Sequence, residues 1–141
     1  MIFSKELMFS DDQTVAESGP STNVIDLGAP GTVLNGPSAL VRDIGKGKPI
    51  PIYVQLMGDA NDGSDTLVAE LEVSATENFA SATTVAVAPT ITGGSEGDRV
   101  GLYYIPQGTD ERYMRLNYTL TGASASYDIT AGIVLADHTN V

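Results

Sequence analysis

The sequence contains no cysteine, no tryptophan and only one histidine among its 141 residues. Without cysteine there is no disulfide framework, thiolate metal site, cysteine nucleophile or iron–sulfur cluster. The single histidine, His138, excludes a metal site built from several histidines. It lies three residues from the chain end, where we expect it to be solvated rather than held rigidly as a general base. We therefore predict no metal site and no cofactor.

Basic residues are also scarce: seven Lys and Arg face eighteen Asp and Glu, which gives a net charge of −11. A nucleic-acid surface needs clustered positive charge, so this balance argues against such a partner. No apolar run approaches the roughly 20 residues of a membrane helix. The segment MIFSKELMFSDD at residues 1–12 does not have the pattern of a signal peptide. We expect no membrane partner, and a protein kept in the cytoplasm or in a particle assembled there.

Short runs of β-forming residues dominate what is present. Two segments, residues 112–120 and 67–73, alternate apolar and polar residues with a period of two, as half-buried strands do. Their predicted inward faces are Met114, Leu116, Tyr118 and Leu120 in the first, and Leu67, Ala69, Leu71 and Val73 in the second. Residues 129–136 also alternate, with a second face that is small or apolar. Further strands are predicted at 2–9, 23–27, 50–57, 84–88 and 100–105.

Turn residues separate nearly all of these runs, and helix signals are scarce. About eight short strands with long loops indicate an all-β, antiparallel sandwich or barrel. No shift in composition marks a domain boundary, so we predict one domain over residues 1–141, with a possible extended N-terminal strand. The loop at Gly28–Pro37 is long enough to reach a neighbouring molecule.

One acidic segment, Asp59–Asp65, weakly resembles a calcium loop. Counting from Asp59, Asn61 fits the third position of an EF-hand loop and Glu70 fits the twelfth. However, Gly63 falls one position early and the flanks are predicted strands rather than helices. We favour a solvated Asp-Gly hairpin, and the sequence leaves open whether the segment holds a cation.

No catalytic constellation stands out. Gly93–Gly97 lacks the Lys-Ser/Thr of a phosphate loop and is expected to be a flexible turn. Glu70 and Glu72 share one strand face, whereas glycosidase carboxylates flank a cleft and usually come from different elements. We predict that the protein is not an enzyme.

Three residues of the strongest strand are candidates for a protein interface: Arg112, Tyr113 and Arg115. Two of the seven basic residues lie here, and Tyr113 and Arg115 share the outward face. Tyrosine and arginine are enriched at protein interfaces. The alternative is an intramolecular ion pair that relieves an acidic surface, and the sequence does not decide between them.

Several segments, in order along the chain, resemble the capsid cement (decoration) proteins of short-tailed bacteriophages. The resemblance extends from near the N-terminus to near the C-terminus. Within residues 58–98 only the general character of the sequence is similar, without a matching segment. The matching segments are Leu7–Gln13, Ser21–Gly28, Arg42–Pro49, Arg112–Gly122 and Ile129–Val134.

The resemblance implies a jelly-roll-like sandwich that staples major capsid subunits together from outside the head. It implies a virion location on the outer capsid surface and the major capsid protein as partner. Bridging several subunits favours symmetric clusters, so we expect a homo-oligomer, a dimer or trimer. The alternative is a carbohydrate- or receptor-binding sandwich of a virion fibre, although Tyr103 and Tyr104 are adjacent and cannot form one aromatic platform.

Overall fold

Two antiparallel β-sheets form the protein. The computed structural model describes residues 4–43, 50–102 and 105–134. A short 3-10 helix, Lys5–Leu7, is the single helix among them, and it is far too short to cross a membrane. The strands are β1 (Met8–Val15), β2 (Gly19–Pro20), β3 (Ile25–Asp26), β4 (Ile52–Leu56), β5 (Thr66–Ser74), β6 (Thr83–Val87), β7 (Ile91–Thr92), β8 (Arg99–Leu102), β9 (Tyr113–Thr121) and β10 (Tyr127–Ile133).

The strand order is that of a jelly roll. One sheet runs β1-β10-β4-β8 and the other β2-β9-β5-β6, with the two-residue strands β3 and β7 paired to β9 and β5. Along these paths the pairing is nested: β1 with β10, β2 with β9, β4 with β8 and β5 with β6. A long hairpin rolled into two sheets gives this nesting. The predicted antiparallel, jelly-roll-like sandwich is confirmed, with eight strands on the paths and two short ones beside them.

The two strongest sequence patterns became the centre of the larger sheet. β5 pairs with β9 along nine residues, from Thr66 opposite Thr121 to Ser74 opposite Tyr113. The predicted inward side chains are buried in both strands, except that Leu120 is only partly buried. Facing them are apolar residues of β1, β4 and β10, and together these groups form one hydrophobic core between the sheets.

The N-terminal strand differs from its prediction. We expected it at residues 2–9, but β1 runs from Met8 to Val15, and residues 1–3 lie outside the described part. The acidic pair Asp11-Asp12 lies inside β1, although aspartate is depleted in strands. The pair lies at the second of two register shifts in β1, between Ser10 and Gln13, and Asp12 adopts a positive φ of 49°. Such bulges keep pairing while bending the strand.

The predicted Asp-Gly hairpin is also wrong. The segment Asp59–Asp65 joins β4 to β5, which belong to different sheets. It packs instead against the Gly93–Gly97 segment, which joins β7 to β8: the Ala60 amide donates to Gly94 O at 3.0 Å and the Gly93 amide to Asp65 O at 2.7 Å. The Gly93–Gly97 segment is therefore pinned by hydrogen bonds at one end of the sandwich.

A buried hydrogen-bond chain links the two sheets through the core. Tyr118 of β9 and Ser10 of β1 are both fully buried, and their hydroxyl oxygens lie 2.8 Å apart. Ser10 Oγ donates to Gln13 Oε1 at 2.6 Å, so the Tyr118 hydroxyl is the donor to Ser10. Burial is the largest cause that raises the pKa of Tyr118.

Tyr118→Phe is expected to lower the free energy of unfolding by about 1 kcal/mol at neutral pH, because it removes one buried hydrogen bond. The raised pKa means that the neutral phenol stabilises the fold fully below the unfolded value near pH 10, and that this contribution is lost as the pH rises above it. Urea unfolding at pH 7 and above pH 10 measures both effects. The wild type should lose its advantage over Tyr118→Phe in alkali, whereas Tyr113→Phe, at a partly exposed position, should match the wild type at neutral pH.

Candidate protein–protein interface

A long loop between β3 and β4 carries a small hairpin, residues 28–43, which we call the arm. Thr32 bridges to Ala39, and the Leu40 amide donates to Gly31 O at 2.8 Å. At the tip, the Gly36 amide donates to Val33 O at 2.7 Å, closing a turn. Asn35 adopts a φ of 61° in this turn, a conformation that asparagine tolerates better than most residues.

The arm exposes large apolar side chains. Leu34, next to the tip, is 89% exposed, and three more apolar side chains of the arm are over half exposed: Val33, Leu40 and Val41. Clustered exposed apolar side chains typically mark a site of interaction with another macromolecule. The sequence analysis identified the Gly28–Pro37 part of this loop as able to reach a neighbour but did not single out these side chains.

The N-terminal stem of the arm is tied to Arg112, the residue before β9. Arg112 donates to both carboxylate oxygens of Asp26, from Nε and from Nη2, at 2.7 Å each. The Gly28 amide donates to Asp26 Oδ1 at 2.8 Å, and the Leu27 amide donates to Arg112 O at 2.9 Å. The hydrogen bonds from Arg112, the largest cause, and from the Gly28 amide hold the pKa of Asp26 at about 2, and the contact with Asp26 raises the pKa of Arg112.

The C-terminal stem of the arm is tied to the segment before β9. The Arg42 amide donates to Asp110 Oδ1, and the Gly108 amide donates to Asp43 Oδ2 at 2.9 Å. Both stems are therefore fastened to residues 108–112. The arm is thus tethered at one end of the sandwich. Because tethering limits the conformations of the free arm, less conformational entropy is lost when the arm binds a partner.

The structure places the three predicted interface residues at or near the base of the arm. Arg112 pairs with Asp26, and its guanidinium lies 4.9 Å from the ring centre of Tyr113. Arg115 Nε donates to Glu72 Oε2 at 2.8 Å, and its guanidinium lies 4.1 Å from the ring centre of Phe79. Both arginines thus make the intramolecular ion pairs that the sequence analysis gave as the alternative, while contact with a partner remains a prediction.

Arg112→Gln is expected to loosen the base of the arm without unfolding the sandwich. Its ion pair is about 40% exposed at each side chain, so it orders the loop locally rather than supporting the core. The pKa of Asp26 should move from about 2 toward the ordinary value near 3.9. A carboxyl NMR titration measures this shift, and hydrogen exchange at the Gly28 amide should accelerate. Arg99→Gln, in β8, serves as the control and should change neither quantity.

The ion pair of Arg115 with Glu72 is more buried than that of Arg112 with Asp26. A charge reversal at Arg115 therefore needs a compensating change at Glu72. The Arg115 and Glu72 side chains are 21% and 13% exposed, so reversing Arg115 alone would place two carboxylates together. The swap Arg115→Glu with Glu72→Arg keeps a cross-strand ion pair. We expect Arg115→Glu to lower the free energy of unfolding by about 2 kcal/mol and the swap to restore much of it. Urea unfolding measures this, and equal stability of the single variant and the wild type would contradict it.

The suspected calcium segment does not form a metal site in the described structure. Across residues 4–43, 50–102 and 105–134, no three Asp, Glu or His side chains converge as metal ligands. Asp59 Oδ1 accepts the Glu96 amide at 2.9 Å, and Asp62 Oδ1 accepts the Ser64 amide and hydroxyl at 2.8 Å each. The Ser64 amide is the main cause that lowers the pKa of Asp62. These carboxylates fasten turns.

The sequence analysis also considered two glutamates, a histidine and a pair of tyrosines. Glu70 and Glu72 lie on the outward face of β5, with Glu72 in the ion pair described above. His138, Tyr103 and Tyr104 lie outside the described residues.

Comparison with known proteins identifies the family. The Bbp16 family model matches residues 9–136, which is most of the chain, and the chain belongs to this family. The family name points to a phage-related protein. A search of curated proteins found no match.

Proposed function

We propose that this protein is a structural virion protein that binds the outside of an assembled phage capsid and bridges neighbouring major capsid subunits. The observation that carries the proposal is the arm, which holds four exposed apolar side chains on a tethered hairpin. A cement protein needs such a contact element and a rigid support for it, and it needs no catalytic chemistry. Membership of a family with a phage-related name and the resemblance to cement proteins also support it.

Stabilisation of the head would follow from mass action. A protein that binds only the assembled, expanded shell stabilises it by an amount that grows with its free concentration. Many copies on one particle convert a modest energy per contact into a large total. A dimer or trimer of this chain would grip several capsid subunits at once, so we include homo-oligomerisation in the proposal.

The direct test mixes the purified protein with expanded shells that lack it and measures co-sedimentation. We expect saturable binding at micromolar concentration and a higher temperature of shell disruption. Shells that have not expanded serve as the control and should bind less. No co-sedimentation at micromolar concentration would reject the proposal, and a specific hit on a glycan array would favour the receptor-binding alternative.

A further inference from the structure

We propose that the free edge of β6 accepts an extended, basic segment of the capsid partner as an added strand. This inference rests on the proposed function and specifies a second contact beside the arm. β6 is the outermost strand on its side of the larger sheet, and its sequence, TTVAV, contains neither a charged residue nor a proline. A strand with these properties is a ready template for pairing with another chain.

The hydrogen-bonding groups of Val87 face away from the sheet. The Ala88 amide donates to Ala69 O at 2.8 Å, and the next residue, Val87, lies opposite Glu70. Hydrogen-bonded and non-hydrogen-bonded pairs alternate in an antiparallel ladder. The N–H and C=O of Val87 therefore point outward, and the Val87 side chain is 57% exposed.

The other described sheet edges are protected, which makes β6 the exception among them. β1 carries two register shifts and the charged pair Asp11-Asp12. β2 is two residues long and ends in Pro20. β8, the other edge of the smaller sheet, is four residues long and begins at the charged Arg99. Bulges, charges, prolines and short length are the usual protections of sheet edges. β6 has one register shift, at Val85, and none of the other protections.

A groove beside β6 indicates the chemistry of the occupant. It has a volume of about 290 Å³ and lies between β6 and residues 106–111. Its lining includes the apolar side chains of Val73 and Val85 and the acidic residues Asp110 and Glu111. A strand added to β6 would direct alternate side chains into this groove. Lysine or arginine fits both parts, because its stem packs on apolar surface while its head reaches the carboxylates.

The acidic lining also disfavours a second copy of this chain. Two β6 edges paired about a two-fold axis would run antiparallel, so the acidic groove of each copy would meet the uncharged β6 of the other copy and no basic side chain. The whole chain carries a net charge of −11, so a like-charged partner strand would add repulsion. A basic segment of a different protein is complementary to this surface.

The test combines two substitutions with matched controls in the shell-binding assay. Val87→Pro removes an outward N–H while keeping the ladder to β5, and Val87→Thr keeps the N–H. We expect binding about 10-fold weaker for Val87→Pro and nearly unchanged for Val87→Thr. Glu111→Lys should weaken binding by a similar factor at low salt and less at high salt. Glu17→Lys, between β1 and β2, makes the same change in net charge and should not.

Hydrogen exchange on the bound and free protein separates the outcomes. We expect the outward-pointing amides of β6, that of Val87 among them, to gain protection only when expanded shells are present. If the wild type binds shells but these amides stay unprotected, or Val87→Pro binds normally, the edge inference is wrong and the proposed function stands. Protection that rises with concentration of the protein alone would assign the edge to a second copy and overturn the inference. Absence of wild-type binding would overturn both.

Discussion

Leu116→Asp is expected to prevent the chain from folding. Leu116 is fully buried in β9, the strand that pairs with β2, β3 and β5. An unpaired carboxylate at this position costs several kcal/mol, in addition to the lost apolar burial. The net stability of a domain is only about 5–15 kcal/mol, so little or no folded protein should remain. Far-UV circular dichroism and the dispersion of amide NMR signals measure the outcome.

The control for this substitution lies on the same strand. Thr119 is exposed, three residues from Leu116, and Thr119→Asp adds the same charge to the outer face. It should leave the spectra unchanged and shift the free energy of unfolding by about 0.5 kcal/mol or less. A folded Leu116→Asp variant with the stability of Thr119→Asp would contradict the assignment of the inward face.

The double variant Leu34→Ser with Leu40→Ser is expected to abolish most shell binding. Each leucine is more than half exposed in the free protein, so the sandwich does not depend on it. Burial of a leucine at an interface contributes about 1.5 kcal/mol or more, so the pair should weaken binding roughly 100-fold. Co-sedimentation with expanded shells measures the binding, and urea unfolding should show unchanged stability.

A matched control removes exposed apolar surface elsewhere. Val24 and Met57 are partly exposed and lie outside the arm. The double variant Val24→Ser with Met57→Ser should bind shells as the wild type does. If both double variants lose binding equally, general surface hydrophobicity rather than the arm would govern attachment. If neither loses it, the arm is not the contact element.

The central strands could be predicted because their signal is local. In β5 and β9 every second residue is apolar, and burial follows that alternation. The Asp-Gly segment at residues 62–63 was misassigned because its turn chemistry is local, whereas the sheet that receives the next strand is decided by distant pairing. β1 was misplaced because it continues through two aspartates, a residue type depleted in strands, at a bulge held by its pairing with the distant strand β10.

The candidate site was harder to predict because its contacts join distant parts of the chain. Arg112 could be identified as unusual in an acidic sequence, but its partner Asp26 is 86 positions away. The exposed side chains of the arm did leave a signal: Val33-Leu34 and Leu40-Val41 are apolar pairs within a stretch rich in glycine and proline. Apolar residues in a loop that does not pack on the core indicate a candidate surface for binding another macromolecule.

The nested strand pairing gives the molecule two chemically different poles. β5 and β9 run side by side for nine residues, so the arm and the segments around Asp59 and Glu96 are separated by about 27 Å of sheet. That far pole exposes Asp59, Asp62, Glu96 and Asp98. With the arm seated on a shell, each copy would point a cap of negative charge into the medium. Phage heads that carry the protein would then repel one another at close approach. They should aggregate more readily when added salt screens the negative charge.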